Sequence, residues 1–301
     1  MPGSMSSISD IGFRSLPTAD PARVEWRKVV PSHNLQASLR AKRPIAGFAH
    51  TIRDERVTES LRSVDLDFLL VDMQHTPITI ETLQRTLTAL APSDLSALVR
   101  APWNDPATIG QILDVGASGV IVPMVNTASE AARAVAAARY APLGIRSWGP
   151  GRTAYLPSDA ASYAREANDR LVVITQVETA EAIDNLDEIL GVPGLSAVMI
   201  GPADLAISLG YGDDRSNPAV RDAIQSVLDR CLKREVPFGF FAPTLEDGLY
   251  WLSRGALIVN CGIDTAFVAG GAANVAASVA DARALRSGTH RAIEDGRPAS
   301  Y

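Results

Sequence analysis

Acidic and basic side chains follow several short apolar runs of the sequence. Asp72 ends one run and is followed three residues later by His75, and Arg100 ends the next run. Glu178 and Asp204 come at or just beyond the ends of two later runs. Charged groups beside buried segments are costly unless they are paired or coordinated. Their repeated occurrence at run ends therefore indicates a site that binds or transforms a ligand.

Each of these residues, taken singly, also has a structural interpretation. An acid after a strand, such as Asp204, is often the N-cap of the next helix. Arg100 fits a structural ion pair, and a lone His75 fits a hydrogen-bonded loop histidine. Their shared position favours the catalytic interpretation, because barrel enzymes hold their chemistry at the carboxyl ends of the strands.

Glu178 and Asp204 are the candidate ligands of a divalent metal ion. Two carboxylates, water and a chelating substrate suit a hard ion such as Mg²⁺ or Mn²⁺, and the lack of histidines beside them disfavours zinc. A 2-oxo acid chelated there would be polarised towards its enolate. Arg100 would bind a carboxylate or the enolate oxygen, and His75 would move the proton.

Missing residue types disfavour several other chemistries. The three lysines of the chain, Lys28, Lys42 and Lys233, lie outside the predicted strand ends, so a Schiff-base nucleophile is lacking there. There is no P-loop, and no GxGxxG motif follows a strand, which disfavours nucleotide chemistry. The chain has only four histidines. This low number points to a single base, His75, with His50 as a supporting group on the same rim.

The elements that position these residues alternate along the chain. Eight runs rich in β-branched residues predict buried parallel strands at Ile45–Ala49, Phe68–Asp72, Ala97–Arg100, Val120–Met124, Val172–Glu178, Ala197–Ile200, Phe238–Phe241 and Leu257–Asn260. Amphipathic segments between them predict helices at Thr79–Leu90, Asp105–Leu113, Thr127–Arg139, Ala160–Ala167, Thr179–Leu190, Pro218–Lys233, Leu245–Ser253 and Ala272–Leu285. Eight such units in one composition zone predict an α/β fold, the (β/α)8 TIM barrel.

Composition indicates how the chain is divided into segments, which partners it lacks and where in the cell it is expected. Residues 1–20 are predicted to be a disordered N-terminal segment, 21–43 a helical arm, 44–288 the barrel and 289–301 a C-terminal tail. A net charge of −6 gives no sign of a nucleic-acid partner. No apolar run is long enough for a membrane helix, and the N-terminus lacks the pattern of a secretory signal. We therefore expect a cytoplasmic protein without a membrane partner.

Six short segments together resemble the HpcH/HpaI aldolase family, a group of class II pyruvate aldolases in the phosphoenolpyruvate/pyruvate superfamily. They are Val99–Pro106, Leu113–Gly116, Val122–Val125, Gly144–Arg146, Gln176–Glu178 and Ile200–Leu205. The resemblance runs from about Asn34 to Ala273. It implies a (β/α)8 barrel and a divalent-metal-dependent carbon–carbon lyase that cleaves or forms 4-hydroxy-2-oxo acids through a pyruvate enolate.

The resemblance also implies a role for each site residue. Glu178 and Asp204 would bind the metal ion, with Mg²⁺ expected first and Mn²⁺ or Co²⁺ as alternatives. Arg100 would hold the carbonyl oxygen of pyruvate. His75 would be the base, supported by Asp72 and by Asp114. The implied substrate contacts are Arg100, Gln176, Gly201, Pro202 and Ala203.

One segment departs from the family pattern. Where the family has Asp-Gly-Glu-His after the second strand, this chain has Asp72-Met73-Gln74-His75. The aldehyde side of the pocket is therefore expected to differ, and the usual long-chain hydroxy-diacid substrate is not assumed.

Three functions stay open at this point. The first is the aldolase. The second is an oxaloacetate decarboxylase, or an enzyme similar to macrophomate synthase that adds the enolate to another acceptor. The third is a non-catalytic barrel that binds a 2-oxo acid. The expected partners are pyruvate or oxaloacetate with an aldehyde or other acceptor. The resemblance further implies a homo-oligomer, a hexamer or trimer, that exchanges its last barrel helix.

Overall fold

Eight parallel strands close into one barrel. The computed structural model describes residues 34–149 and 160–286. Each strand pairs in parallel with the next, and the last pairs with the first. The strands are β1 (Ile45–His50), β2 (Phe68–Asp72), β3 (Ser96–Arg100), β4 (Gly119–Val122), β5 (Val172–Val177), β6 (Ala197–Ile200), β7 (Phe238–Ala242) and β8 (Ile258–Ile263). The predicted (β/α)8 barrel is confirmed.

Helices connect the strands on the outside of the barrel. They are α1 (Leu35–Arg40), α2 (Glu55–Ser60), α3 (Ile80–Leu90), α4 (Pro106–Asp114), α5 (Ala128–Ala138), α6 (Ala160–Arg170), α7 (Ala180–Asp184), α8 (Leu186–Leu190), α9 (Pro202–Ser208), α10 (Pro218–Arg234), α11 (Leu245–Ser253) and α12 (Asp264–Arg286). Side-chain oxygens of Thr79, Asp105 and Thr127 cap α3, α4 and α5. These caps start each helix soon after a strand ends, because they satisfy N–H groups that lack intrahelical partners.

Several predicted boundaries differ from the structure. The predicted strand Val120–Met124 ends at Val122, since Pro123 has no N–H for the sheet. The predicted helix Thr179–Leu190 is divided into α7 and α8 at Asn185. The last helix begins at Asp264 rather than at Ala272. The short helices α2 and α9 were not predicted, because six or seven residues carry too little periodicity.

Successive side chains of each strand point alternately into the barrel and towards the helices, which gives an inner and an outer hydrophobic core. On β2, Phe68 and Leu70 point into the barrel, while Leu69 and Val71 pack beneath the helices. Side chains on a strand alternate between its two faces, so Asp72 continues the inner row at the open, carboxyl end of the barrel. The alternation that fills the barrel therefore also points Asp72 into this open end, which we call the mouth of the barrel.

Some of the predicted segments lie outside the described residues. These are the segment 1–20, the tail 289–301 and most of the arm 21–43, of which α1 is described. The Gly-rich stretch 144–149 follows α5. Since α5 returns to the amino ends of the strands, this stretch lies at the end of the barrel opposite the mouth.

Helix α12 leaves the barrel surface. Its side chains from Thr265 to Arg283 are all exposed, including the apolar Phe267, Val268 and Val275. Its ring contact with the barrel is made by Phe267, whose centroid is 5.2 Å from that of Phe48. Within the described residues, no helix has the length and apolarity needed to cross a membrane.

Candidate active site

Asp72 and Arg100 form a buried ion pair at the mouth of the barrel. They are register partners at the ends of β2 and β3. Arg100 donates from Nε to Asp72 Oδ1 at 2.9 Å and from Nη2 to Oδ2 at 2.7 Å. Burial alone would raise the pKa of Asp72, but the Arg100 hydrogen bonds and charge hold it below its ordinary value. Asp72 is therefore a fixed anion that orients the guanidinium.

Phe241 supports Arg100 from the opposite side of the mouth. The Arg100 Cζ atom lies 5.0 Å from the centroid of the Phe241 ring, at the end of β7. Cation–π contact adds about 0.5–2 kcal/mol to such a pair. Asp72 engages Nε and Nη2, while Nη1 has no hydrogen bond to any described residue. Arg100 is thus immobilised with one donor group still available to a ligand.

Glu178 carries an unpartnered carboxylate oxygen in a buried position. Its side chain directly follows β5 and is 1% exposed. Oε1 accepts the N–H of Met124 at 2.6 Å, and Met124 adopts a left-handed backbone with φ +53° to present it. Oε2 has no hydrogen-bond partner among the described residues. Burial, and then the charge of Asp204, raise the pKa of Glu178 to about 7.

Gly201 and Asp204 face Glu178 from the end of β6. Gly201 is the N-cap residue of α9, and Pro202 occupies the first turn. A Cβ on Gly201 would collide with Glu178 Oε2, so only glycine leaves that oxygen open. Asp204 lies in the same first turn and repels the Glu178 charge. Two carboxylates forced together with a free oxygen fit a divalent cation, which removes their repulsion.

The described residues offer this pair of carboxylates no further acidic, histidine or cysteine ligand. Within the part of the chain that the structure describes, no group of three or more His, Cys, Asp or Glu side chains surrounds a common point. Mg²⁺ in proteins often uses only one or two carboxylates and keeps several waters or substrate oxygens. The Glu178–Asp204 pair therefore fits an open site for such an ion.

Gln176 presents a second set of unsatisfied groups. It lies two residues before Glu178 on β5, so both side chains project from the same face of the strand. Gln176 is fully buried, yet neither Oε1 nor Nε2 has a hydrogen-bond partner among the described residues. A buried unpaired polar group costs about 1–3 kcal/mol. The amide is therefore prepared for a polar ligand at the Glu178 side of the mouth.

His75 lies on the exposed rim of this pocket. Its backbone N–H is 3.4 Å from Asp72 Oδ1, and its side chain is exposed. No hydrogen bond joins its ring to any residue in 34–149 or 160–286. Asp72 thus holds the segment of His75 through the backbone, and leaves the imidazole open to a substrate.

Asp114 is not brought to this site within one chain. It is the last residue of α4, which runs from the carboxyl end of β3 back to the amino end of β4. Its Oδ1 accepts a hydrogen bond from Arg146 Nη2 at 2.6 Å. Since a helix that follows a barrel strand returns to the opposite face, Asp114 lies away from the His75 of its own chain.

Comparison with known proteins agrees with this geometry. A model of the HpcH/HpaI aldolase/citrate lyase family matches residues 51–270. The chain is also 37% identical over 260 residues to the 4-hydroxy-2-oxo-heptane-1,7-dioate aldolase of Shigella sonnei, covering 86% of this chain and 99% of that protein. The chain belongs to the HpcH/HpaI aldolase/citrate lyase family. The predicted family and the predicted aldolase class are thereby confirmed.

Solved structures share the fold. A family member from Burkholderia cenocepacia superposes with a TM-score of 0.77 at 28% identity, covering 81% of this chain and 98% of that one. Macrophomate synthase superposes with a TM-score of 0.71 at 24% identity, covering 84% and 89%. At that identity the second likeness shows the barrel fold alone.

Two features of this HpcH/HpaI barrel were missed from the sequence. Phe241 was predicted only as a strand end, although an aromatic residue there can reach the arginine of a facing strand. Asn260 on β8 is fully buried: its Nδ2 donates to the carbonyls of Ala242 and Gly262 at 3.3 and 3.1 Å, and its Oδ1 is unpartnered among the described residues. A polar residue ending an otherwise apolar strand was the available signal.

His50, predicted as a supporting group on the rim, contacts one residue near in sequence and one far away. Its Nδ1 lies 2.9 Å from Asp264 Oδ2, and its Nε2 lies 2.9 Å from Thr58 Oγ1. All three side chains are buried, so no substrate reaches this arrangement. The network instead ties the end of β1 to α2 and to the start of α12.

Proposed function

We propose that this chain is a class II aldolase that joins pyruvate to an aldehyde, and cleaves the resulting 4-hydroxy-2-oxo acid. The observation that carries the proposal is the unpartnered, buried Oε2 of Glu178 beside Asp204. We infer that these two carboxylates hold a divalent ion, with Mg²⁺ preferred and Mn²⁺ or Co²⁺ as alternatives. When bound, the ion acts as a Lewis acid on the 2-oxo group.

The pyruvate end of the substrate is recognised by groups that are otherwise unsatisfied. Arg100 Nη1 donates to the carbonyl oxygen and stabilises the negative charge that develops there. Gln176 and the first-turn N–H of Ala203 on α9 bind the carboxylate, with Gly201 and Pro202 shaping the turn. We infer that one planar molecule satisfies these donors together, since Gln176 Nε2 and Glu178 Oε2 both lie next to Gly201.

His75 is the proposed base. Its exposed ring lies on the rim, where it can take a proton from the methyl carbon of pyruvate and later return one to the new hydroxyl group. Asp72 keeps the segment of His75 in place. Since Asp114 lies at the opposite end of its own barrel, we propose that it supports a histidine only across an interface between copies of the chain.

The direct test is exchange of the pyruvate methyl protons in deuterium oxide, followed by NMR. Exchange reports enolate formation without any assumption about the acceptor. We expect exchange with Mg²⁺ or Mn²⁺, none with EDTA, and strong loss in Glu178→Gln and Arg100→Ala. Absence of exchange with every divalent ion would refute the aldolase and favour a barrel that only binds 2-oxo acids.

A second candidate function also uses the pyruvate enolate, but it forms the enolate from another substrate and adds it to another acceptor or a proton. Gln74 replaces the glutamate of the family segment beside His75, which alters the acceptor side of the pocket. An oxaloacetate decarboxylase, or an enzyme that adds the enolate to another acceptor, would form it by loss of carbon dioxide. Faster turnover of oxaloacetate than of any aldol reaction would favour this candidate.

We further propose that the protein is a homo-oligomer, a hexamer or trimer, held together by α12. The exposed apolar residues Phe267, Val268, Val275 and Val279 lie along a helix that its own barrel leaves uncovered. Large exposed apolar faces usually mark interaction sites. Light scattering is expected to give a multiple of the 31.9 kDa chain mass for the unmodified protein and a smaller particle for Val275→Asp.

A further inference from the structure

An arginine stands at the mouth of the barrel beside the proposed base. Arg53 belongs to the segment 51–54, which joins β1 to α2 at the carboxyl ends of the strands. Its Nη1 donates to the carbonyl oxygen of Pro77 at 3.4 Å. Pro77 is two residues beyond His75 in the next strand-to-helix segment. The guanidinium therefore lies on the rim that an acceptor molecule has to cross to reach His75.

Arg53 has no acidic partner. Its side chain is exposed, and it forms no ion pair with any residue of the described ranges. The segments that lead directly from each strand into the following helix contain no other arginine or lysine. The neighbouring segment 73–79, which carries His75, contains no acid. Arg53 is thus the one basic side chain of these segments, and neither Asp54 nor Asp105, the acids of the first and third segments, pairs with it.

The backbone that carries Arg53 is fixed by a buried carboxylate. Asp264 Oδ2 accepts the N–H groups of Thr51 and Ile52 at 2.9 and 3.0 Å. Asp264 Oδ1 accepts the Thr51 hydroxyl at 2.7 Å, and His50 Nδ1 lies 2.9 Å from Asp264 Oδ2. The segment is therefore ordered up to the residue before Arg53. Ordering before binding lowers the entropy that a ligand has to overcome.

The contact with Pro77 leaves the more useful edge of the guanidinium open. Nη1 is engaged by the carbonyl, whereas Nε and Nη2 form the edge that binds a carboxylate through two parallel hydrogen bonds. Next to His75, Gln74 is a neutral amide rather than an acid, and its Oε1 is unpartnered among the described residues. An anionic acceptor would therefore meet a free donor pair and no repelling charge from this segment.

We propose that Arg53 determines specificity by binding a carboxylate at the far end of the acceptor aldehyde. The inference rests on the proposed aldolase function. The methylene carbon of the pyruvate enolate bonds to the aldehyde carbon, and the aldehyde oxygen takes up a proton to become the 4-hydroxyl group. The distal carboxylate takes no part in this step and serves only to orient the acceptor. The product is a 4-hydroxy-2-oxo diacid.

The test compares two aldehydes of equal carbon number, succinate semialdehyde and butanal, in aldol addition to pyruvate. The unmodified enzyme is expected to prefer succinate semialdehyde in kcat/KM. Arg53→Gln should lower that value about tenfold to a hundredfold, as expected for hydrogen bonds to a charged group. It should leave kcat/KM for butanal within about twofold. Arg53→Lys should give a kcat/KM for succinate semialdehyde between those of the unmodified enzyme and Arg53→Gln, because lysine keeps the positive charge but lacks the paired N–H donors of the guanidinium.

Arg56→Gln is the matched control. Arg56 is also exposed and lies on α2, three residues beyond Arg53, so it tests whether any positive charge near the rim has the same effect. Equal selectivity in the unmodified enzyme and Arg53→Gln, or equal loss in Arg56→Gln, would overturn the inference about Arg53 alone. Failure of the unmodified enzyme to exchange the pyruvate methyl protons would overturn the proposed function and this inference with it.

Discussion

Replacing Glu178 with glutamine separates the cost of its buried charge from its use as a metal ligand. Burial, with the charge of Asp204, raises the pKa of Glu178 from the ordinary value of 4.5 to about 7. Between these two values the folded protein holds a proton that the unfolded chain has released. The stability of the metal-free protein therefore falls as pH rises through this window. The full loss, reached above pH 7, is about 3 kcal/mol.

Glutamine keeps the local contact and removes the charge. Its side-chain oxygen can still accept the Met124 N–H, which Glu178 Oε1 accepts at 2.6 Å. Metal-free Glu178→Gln is therefore expected to be about 3 kcal/mol more stable than the unmodified protein at pH 8. The two proteins should differ little at pH 4 and below, where Glu178 is mostly protonated in both states. Urea unfolding in EDTA, followed by circular dichroism at one protein concentration, measures this difference.

The matched control is Glu181→Gln on α7, three residues further along the chain and exposed. It should follow the unmodified protein at every pH. Added Mg²⁺ or Mn²⁺ should stabilise the unmodified protein at pH 8 and leave Glu178→Gln unchanged, since the variant lacks the ligand. A Glu178→Gln gain that is absent at pH 8, or equally large at pH 4, would show that the buried charge has been misassigned.

Four further outcomes follow from the site. Gly201→Ala should abolish Mg²⁺-dependent exchange of pyruvate methyl protons with an unchanged circular dichroism spectrum, because its Cβ would collide with Glu178 Oε2; retained exchange would contradict the crowding. Asp72→Asn should slow that exchange at least about tenfold, since a charged hydrogen bond to Arg100 is lost; an unchanged rate would refute the orienting role. His75→Ala should reduce aldol turnover more than oxaloacetate decarboxylation, which needs no C–H deprotonation; equal losses would argue against a base. Borohydride with pyruvate should leave the enzyme active while EDTA inactivates it, and a trapped lysine adduct would overturn the class II mechanism.

Strands and their terminal charges were the predictable part of this protein. Buried parallel strands are continuous apolar runs, so all eight were located, and Asp72 and Arg100 were placed at neighbouring strand ends. Their bidentate ion pair then follows from register. Boundaries failed where a local backbone feature overrides the pattern, as at Pro123 and Asn185. The left-handed conformation of Met124 has no pattern in the sequence, because it depends on Glu178, 54 residues later.

Contacts between distant segments were not predictable in the same way. His50 was expected on the rim, but its partner Asp264 is 214 residues away and is found only once the barrel closes β8 onto β1. Asp114 was given a role beside His75 from a motif, whereas the direction of α4 sends it to the opposite end. Arg53 shows no signal in composition or spacing. Its significance comes from what surrounds it after folding.

The two arginines of the mouth are suited to different tasks because of their partners. Arg100 is buried and bound at two points to Asp72, so replacing it would leave an unpaired buried anion, which is strongly destabilising. Because Arg100 cannot readily be replaced, it suits the part of the substrate that is the same for every acceptor. That part is the 2-oxo acid. Arg53 is exposed and has no acidic partner among the described residues, so its replacement costs the fold little. Changes in acceptor preference are therefore expected at the position of Arg53 and its neighbours on the rim, while the Arg100 side of the pocket is constrained by the stability of the barrel itself.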